Sequence, residues 1–464
     1  MKMEKHPPLS ARDFIGGVFA GLMGLVLMLA LLYWGSAVIL DDPAVDLSRR
    51  IVFSDKPPTN LRYWLVTAAG AFGLLVARWR TDAPRWLVAL PLVWFGWQLV
   101  AAAHTVDPAL TRATMKHFAA CTVFFYLGLF ALSRVRIVWP FLAFLLIGFF
   151  AVLWTGFNQH YGGLEATRQF YEKLHSGELP PDIQRQYDTP QFQAMFNRPE
   201  FQKRIASSRI FGSLMYPNAL AGAILLLLPL SLVAVGHACN RFPFMVRGIT
   251  IGLLGYASAA CLVWSGSKSG WLIALVMALA ALLRLPLSKR LKFGIIGVAL
   301  VVGLVGFFVK FAGYFQKGAT SVSARFDYWR AAWQISKQHP VVGTGPGTFG
   351  VLYKQLKSPE SEMAQLTHND YLEQACDSGF IGFLLYSAMI LASLALLYRK
   401  KSIGELRIAM WLGSIGLAIQ GFLEFGLYIP GLAWPAFLFL GWLWGSGEIK
   451  STTPAPQNNL AGTK

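Results

Sequence analysis

The sequence has few charged residues and few cysteines. Only 14% of its 464 residues are charged, whereas 55% are hydrophobic. A soluble protein carries about 25% charged residues, so this composition excludes an ordinary soluble domain. The 4 cysteines show no CxxC spacing, and the 8 histidines form no HxxH or HExxH pair. We therefore predict no disulfide framework, no metal site and no cofactor.

Acidic residues are also scarce relative to basic ones. The chain contains 23 Asp and Glu against 41 Lys and Arg, a formal net charge of +18. Such a charge can indicate nucleic-acid binding, but the sequence has no basic, aromatic-rich soluble segment that could hold a strand. The basic residues instead form short clusters beside hydrophobic runs. We therefore predict membrane lipids as partners of these charges, and no nucleic acid.

Long hydrophobic runs dominate the sequence. A membrane-spanning helix needs about 20 apolar residues, and its backbone polar groups must pair within the segment. The sequence therefore predicts an all-α polytopic membrane protein. Twelve spans are predicted, at residues 14–40, 61–78, 86–103, 114–132, 138–157, 212–235, 247–264, 270–285, 293–312, 379–398, 405–424 and 430–446.

The basic clusters predict the orientation of these spans. They follow even-numbered spans and also precede the first one, as expected of the cytoplasmic side. The clusters include Arg78 and Arg80, Arg134 and Arg136, Arg241 and Arg247, Arg284 to Lys292, and Arg399 to Lys401. The polar segments 158–211 and 313–378 and the turn 265–269 then lie outside. ATP and nucleotide sugars are absent there, so any reaction needs a substrate that arrives already activated.

One polar cluster stands at a helix mouth on this outer side. His368, Asn369 and Asp370 end the second long loop, directly before a hydrophobic run. An imidazole can accept or donate a proton near neutral pH. A single histidine in such a place commonly caps a helix or packs against it. The polar neighbours and the outer position favour a functional role for His368.

Two other outer segments supply cationic candidates. Arg209 and Asn218 flank the entry of the sixth span. Arg209 can bind an anion or extend to the membrane surface, and Asn218 can form a buried hydrogen bond or simply belong to a helix start. Lys268 lies between serines in a turn that does not match a phosphate-binding loop. This turn can be purely structural, or Lys268 can hold a lipid phosphate.

The second long loop supplies a further arginine. Arg325 and Trp329 are spaced i, i+4, so they share one face of a helix predicted to end near Gln338. Pro340 ends this helix, and the glycine-rich segment 343–350 follows. Part of that segment matches GxGxxG, but it lacks the strand–helix context of a nucleotide site. We predict instead a turn whose glycines let the backbone pack closely.

Taken together, these residues resemble the O-antigen ligase and polymerase family of polytopic bacterial membrane proteins. The resemblance covers about residues 205–395. It rests on Arg209 with Gly212, Pro217 and Asn218, on Arg325 and Trp329 with the segment 339–349, and on the segments 368–372 and 379–382. The chain departs from the family at Lys268, where many relatives have arginine, and at Asp377, where glutamate is common.

The resemblance implies a metal-independent, inverting glycosyltransferase with a GT-C-like helical fold. Its donor would be a glycan on undecaprenyl diphosphate, and its acceptor a sugar hydroxyl of lipid A-core at the periplasmic face of the inner membrane. A polymerase would instead use a second lipid-linked repeat as acceptor, and a protein O-glycosyltransferase would use the same donor. The implied catalytic residues are His368, Arg325 and Arg209. The implied substrate-binding residues are Lys268, Asn218, Asn369, Asp370 and Trp329.

The sequence divides into four predicted regions: helices and most of the first loop at 1–204, a ligase-like core at 205–395, C-terminal helices at 396–446 and a disordered tail at 447–464. A membrane solute transporter is the alternative from another class. Transporters usually place ionisable groups mid-membrane, whereas those here lie at helix mouths, with Glu424 the main exception. A structural scaffold is a third alternative, which predicts that changing Arg209, Arg325 or His368 has no effect.

Overall fold

The computed structural model describes residues 10–40, 60–187, 190, 206–284, 287–316, 320–398 and 404–445. Every regular element within these ranges is helical, so the prediction of an all-α protein is confirmed. The tail 447–464, predicted to be disordered, lies outside the described residues.

The helices are α1 (Ala11–Tyr33), α2 (Leu61–Val76), α3 (Arg85–Ala102), α4 (Pro108–Tyr126), α5 (Trp139–Asn158), α6 (Leu164–Ser176), α7 (Pro181–Tyr187), α8 (Pro217–Ala238), α9 (Phe244–Trp264), α10 (Lys268–Arg284), α11 (Lys289–Gln316), α12 (Thr320–Gln338), α13 (Phe349–Leu356), α14 (Asp370–Ser387), α15 (Ser393–Tyr398), α16 (Glu405–Gln420) and α17 (Pro430–Trp444). Short π turns continue α4 and α5 and join α14 to α15.

Each predicted span coincides with a helix. Among the described residues, 8 helical stretches are long and apolar enough to cross a membrane, so the chain is a multi-pass membrane protein. These stretches contain α1, α3, α4, α5, α8, α9, α11 and α14. The other four spans fall on α2, α10, α16 and α17, which are 16, 17, 16 and 15 residues long. That these four also cross the bilayer stays a prediction.

The largest difference in a boundary concerns α14. Hydropathy predicts a span at 379–398, whereas α14 begins at Asp370. The Asn369 side chain caps the helix, because its Oδ1 accepts the N–H groups of Tyr371 and Leu372 at 3.0 and 3.1 Å. Farther along, Gln374 accepts a hydrogen bond from Trp94 and donates one to Tyr428. Polar residues that lower the hydropathy of this stretch are thus satisfied inside the protein.

Glycines set the close contacts at the centre of the bundle. Helix α17 contacts α1, α4, α8 and α16, and nearly all of its residues are buried. A Cβ on Gly441 would lie 1.9 Å from the carbonyl oxygen of Phe125 in α4. A Cβ on Gly413 of α16 would lie 2.1 Å from the carbonyl oxygen of Leu226 in α8. These glycines let the backbones approach, as small residues commonly do between membrane helices.

Shorter elements cover one end of the bundle. Helix α12 packs against α14 and α13, and the glycine-rich segment joins α12 to α13. Gly343, Gly345 and Gly347 have φ values of 68°, 103° and 81°. A Cβ on Gly343 would lie 2.4 Å from the backbone of Asp377. The prediction of a glycine turn that packs backbone against backbone is therefore confirmed.

The covered end of the bundle is opposite to the described basic residues Arg134, Arg241 and Arg284. Helix α8 begins at the covered end, near Asn218, and Arg241 follows its far end. Its 22 residues correspond to a length of about 33 Å. In the same way, α10 begins at the covered end and finishes at Arg284, beside the basic start of α11. One end of the bundle is therefore covered by the shorter elements, whereas the other end carries basic residues.

Candidate active site

A buried carboxylate gathers the predicted site residues. Glu424 lies beyond the last residue of α16, and only 6% of it is exposed. Its Oε1 accepts hydrogen bonds from Arg325 Nη2 and, at 2.5 Å, from Asn218 Nδ2. Its Oε2 lies 3.2 Å from His368 Nδ1. Glu424 thus joins α8, α12 and the segment that leads into α14.

Arg325 is held at the start of α12 by three partners. Besides its pairing with Glu424, its Nε donates to the Leu423 carbonyl and its Nη1 donates to the Ser321 carbonyl, both at 3.1 Å. A guanidinium has five N–H donors in a planar fork. Three donors are used in these bonds, which leaves two for an anionic ligand.

His368 is fixed from several directions. Its backbone adopts the left-handed region with φ 54°, which costs an L-residue about 1–2 kcal/mol. Its ring stacks on Tyr328 at 5.7 Å and meets Phe425 edge-on at 4.8 Å. Its side chain is 30% exposed. Nδ1 faces Glu424, and Nε2 makes no hydrogen bond with the residues that the structure describes.

Arg209 reaches the same site from the segment before α8. Its Nε donates to the Ser265 carbonyl at 2.7 Å, and its Nη2 donates to Asn218 Oδ1 at 3.1 Å. Asn218 therefore bridges Arg209 and Glu424. Burial lowers the pKa of the Arg209 guanidinium, nearby Glu424 opposes this change, and nearby Arg325 adds to it. The predicted pairing of Arg209 with Asn218 is present.

Gln159 holds the backbone that carries Arg209. Its Oε1 accepts the N–H groups of Phe211 and Gly212 at 2.9 and 2.8 Å, and its Nε2 donates to the Gly212 carbonyl at 3.0 Å. Gln159 lies in the π turn that follows α5 and is 5% exposed. A single buried amide thus satisfies three backbone groups close to the site.

Lys268 is the first residue of α10. Its Nζ lies 3.9 Å from the ring centroid of Tyr314 and 5.3 Å from that of Phe311, within the range of cation–π attraction. The preceding turn packs on Arg209, since a Cβ on Gly266 would lie 3.1 Å from Arg209 Nε. Lys268 is also within electrostatic range of Arg209 and Arg325. Contact of Lys268 with phosphate stays a prediction.

The remaining predicted residues lie beside this centre. Asn369 caps α14, and both carboxylate oxygens of Asp370 accept the Leu427 N–H at 3.1 Å. The Asp370 N–H donates to the Gly421 carbonyl at 2.7 Å. Asp370 thus anchors the segment that contains Glu424. Trp329 packs in the small hydrophobic cluster of α12 and α13, and its buried indole N–H has no hydrogen-bond partner among the described residues. Their contacts with substrate stay predictions.

Glu424 is stabilised in its ionised form. Its side chain is buried, but its ion pair with Arg325 and the hydrogen bond that it accepts from Asn218 favour the carboxylate form. The aromatic neighbour Tyr328 behaves differently, because burial and then the charge of Glu362 raise its pKa to about 12. The site therefore combines an anionic carboxylate with a neutral phenol.

The sequence did not identify Glu424, Gln159 or Tyr328 as site residues. One feature of the sequence could have identified Glu424: it is an ionisable residue inside a predicted membrane span, and such residues commonly have a functional partner. Gln159 and Tyr328 carried none, because their roles depend on contacts between segments distant in the chain.

The comparison with protein families identifies the central part of the chain. Residues 253–387 match the family described as O-Antigen ligase, which confirms the resemblance seen in the sequence. The match contains Lys268, Arg325 and His368, whereas Arg209 and Glu424 lie outside it. The curated proteins contain no match to this chain. The family indicates a glycosyltransferase-type enzyme of the membrane that acts on glycan substrates.

Proposed function

From the premise that residues 253–387 form an O-antigen ligase domain, we propose that this protein transfers a glycan from undecaprenyl diphosphate to a sugar hydroxyl of lipid A-core. The reaction takes place at the periplasmic face of the bacterial inner membrane. The observation that carries this proposal is the meeting of Arg209, Arg325 and His368 around Glu424.

The two arginines suit a diphosphate leaving group. Guanidinium groups bind phosphate oxygens through paired hydrogen bonds and keep their charge when partly buried. Arg325 has two donors that bind none of the described residues, and Arg209 lies on the other side of Asn218. Lys268 adds a third positive charge within electrostatic range. These cations can stabilise the charge that develops as the diphosphate departs, so we propose that the reaction needs no metal.

His368 suits the role of general base. The acceptor hydroxyl oxygen forms a new bond to the anomeric carbon of the donor sugar, and the bond from that carbon to the diphosphate oxygen breaks. The diphosphate keeps the electron pair, and His368 Nε2 takes the hydroxyl proton. Attack from the face opposite to the diphosphate inverts the anomeric centre. Base catalysis of this kind contributes typically about 10²–10⁴-fold.

The location of the site supports a periplasmic reaction. Arg209, Glu424 and His368 lie at helix ends opposite to those marked by the described basic residues Arg134, Arg241 and Arg284. The positive-inside rule assigns those basic residues to the cytoplasm. A lipid-linked diphosphate brings its own leaving group to the outer face, where nucleotide donors are absent.

The proposal is tested with full-length protein in proteoliposomes. Wild-type protein receives a synthetic undecaprenyl-diphosphate-linked glycan and lipid A-core, and the product is followed by gel electrophoresis. We expect His368→Ala to lower the rate by at least about 100-fold. His104→Ala is the matched control, because this exposed histidine follows α3 and, among the described residues, its ring hydrogen-bonds only the Val100 carbonyl. Normal transfer by His368→Ala would contradict the assignment.

The acceptor decides between ligase and polymerase. In parallel reactions, lipid A-core is replaced by a second portion of lipid-linked repeat. Transfer to lipid A-core supports the ligase, whereas elongation of the lipid-linked repeat shows that the polymerase alternative is correct. Addition of EDTA tests the metal-independent mechanism, and a lost rate that Mg²⁺ restores would refute it.

A further inference from the structure

The contacts of Glu424 specify more than an ion pair. Its two oxygens are used differently, since Oε1 accepts hydrogen bonds from Arg325 and Asn218, while Oε2 contacts, among the described residues, only His368 Nδ1. An ionised carboxylate can accept hydrogen bonds but cannot donate them. The 3.2 Å contact therefore requires a proton on His368 Nδ1. In the neutral imidazole, Nε2 is then the unprotonated nitrogen.

We propose that Glu424 is a positioning residue that fixes the tautomer and orientation of His368, and that it does not contribute to donor binding. This inference rests on the proposed function, because it assigns His368 Nε2 as the proton acceptor. The carboxylate of a catalytic triad holds its histidine in the same way, without itself taking the proton.

The surroundings of His368 leave the carboxylate as the determinant of the tautomer. Tyr328 stacks on the ring of His368, and Phe425 contacts it in an edge-to-face arrangement, so both restrict its position. The preceding residue is also held in place: Thr367 Oγ1 donates to the Asn369 carbonyl at 2.8 Å, and the Thr367 N–H donates to Glu373 at 2.6 Å. These contacts place the ring but do not distinguish its two nitrogens. Among the described residues, only Glu424 forms a hydrogen bond with the imidazole.

The charge balance indicates that Glu424 works against donor affinity. With His368 neutral, as a general base requires, Arg209, Arg325 and Lys268 supply three positive charges, and Glu424 removes one, which leaves +2 around the site. A diphosphate diester carries about two negative charges, one for each phosphate. Removing the carboxylate charge therefore raises the attraction for the donor. If Glu424 served to bind the donor, its removal would instead weaken donor binding.

Glu424→Gln separates these roles. Arg325 and Asn218 both donate to the oxygen at the Oε1 position, so the glutamine carbonyl takes that position. The glutamine amide nitrogen then faces His368 and donates to Nδ1. This contact forces the proton onto Nε2, which can no longer accept the hydroxyl proton. A change of this kind costs up to about 10⁴-fold in kcat in a catalytic triad.

The expected result is a split between the two kinetic constants. Glu424→Gln lowers kcat by about 10²–10⁴-fold, while KM for the lipid-linked donor stays the same or falls. Glu424→Asp keeps the carboxylate and recovers part of kcat. If Glu424→Gln keeps the wild-type kcat, or if it raises KM at unchanged kcat, the positioning role is wrong.

A spectroscopic measurement tests the tautomer without any transfer reaction. Full-length protein labelled with ¹⁵N-histidine is studied by NMR, and His368→Ala identifies the signals of this ring. Wild-type protein is expected to show the Nδ1–H tautomer, and Glu424→Gln the Nε2–H tautomer. The same tautomer in both proteins overturns the inference. A switch of tautomer in a protein that transfers no glycan supports the inference and refutes only the proposed function.

Discussion

Removal of Arg325 gives the sharpest test of how the buried charges are balanced. The side chains of Arg325 and Glu424 are only 17% and 8% exposed. Arg325→Ala therefore leaves a buried carboxylate without its arginine partner. Breaking a buried pair by removing one member typically costs about 3–5 kcal/mol. Glu424 keeps its contacts with Asn218 and His368, so we expect the lower end, about 3 kcal/mol.

A second substitution separates stability from catalysis. Arg325→Ala combined with Glu424→Gln removes both charges, and replacing both members of a buried pair is often close to neutral. The double variant should therefore recover most of the lost stability. It should not recover transfer, because the diphosphate has lost a cationic ligand worth about 10²–10³-fold. Chemical denaturation and transfer assays on the same detergent-solubilised preparations measure both quantities.

Arg330→Ala is the matched control on the same helix. This arginine also pairs with a carboxylate, Asp327 at 3.6 Å, but its side chain is 79% exposed. Exposed pairs are worth about 0–1 kcal/mol, so the control should resemble the wild type. The reasoning is refuted if Arg325→Ala is as stable as Arg330→Ala, or if the double variant regains transfer.

Three further predictions concern packing, loop support and donor binding. Gly441→Ala places a Cβ within 1.9 Å of the Phe125 carbonyl oxygen, so it should destabilise the protein by about 1–3 kcal/mol or more. Gly294→Ala is the control, because open space surrounds Gly294, and it should not lower stability. Thermal unfolding of the two variants measures the difference. Gln159→Ala should lower stability by about 1–3 kcal/mol, because it leaves buried backbone groups without partners, and it should also lower kcat. Gln169→Ala is its control, since Gln169 is exposed on α6 and its side chain donates to Glu165. Equal rates for the two variants would contradict a role of Gln159 in supporting Arg209. Lys268→Gln should raise KM for the lipid-linked donor about 10-fold and leave kcat nearly unchanged. This change in KM corresponds to a loss of about 1.4 kcal/mol of binding free energy. An unaltered KM in initial-rate assays would show that Lys268 does not bind phosphate.

The helical architecture could be predicted because hydrophobic length alone encodes it. All twelve predicted spans coincide with helices, including α17, whose two prolines disturb the pattern. The start of α14 was wrong by nine residues, because Gln374 and its neighbours are polar but pair inside the protein. Hydropathy counts such residues as exposed to lipid, and only the tertiary fold supplies their partners.

The candidate site was partly predictable for a similar reason. Arg209, Arg325 and His368 stood out because their residue types suit an anionic substrate at a membrane surface. Glu424 is 56 residues from His368 in the chain, and no local spacing connects the two. Its role depends on how α16 ends against α12 and α14. Asn369 and Asp370 also show the limit of local patterns, since both are engaged by backbone N–H groups.

The position of α17 has a consequence for how the protein is made. This helix follows the other eleven predicted spans in the chain, yet it packs against α1, α4, α8 and α16. Its glycine contact with α4 requires the two backbones to touch. During synthesis, the earlier helices therefore enter the membrane with their central faces unmatched. Lipid or an assembly factor has to cover these faces until α17 emerges from the ribosome and displaces it.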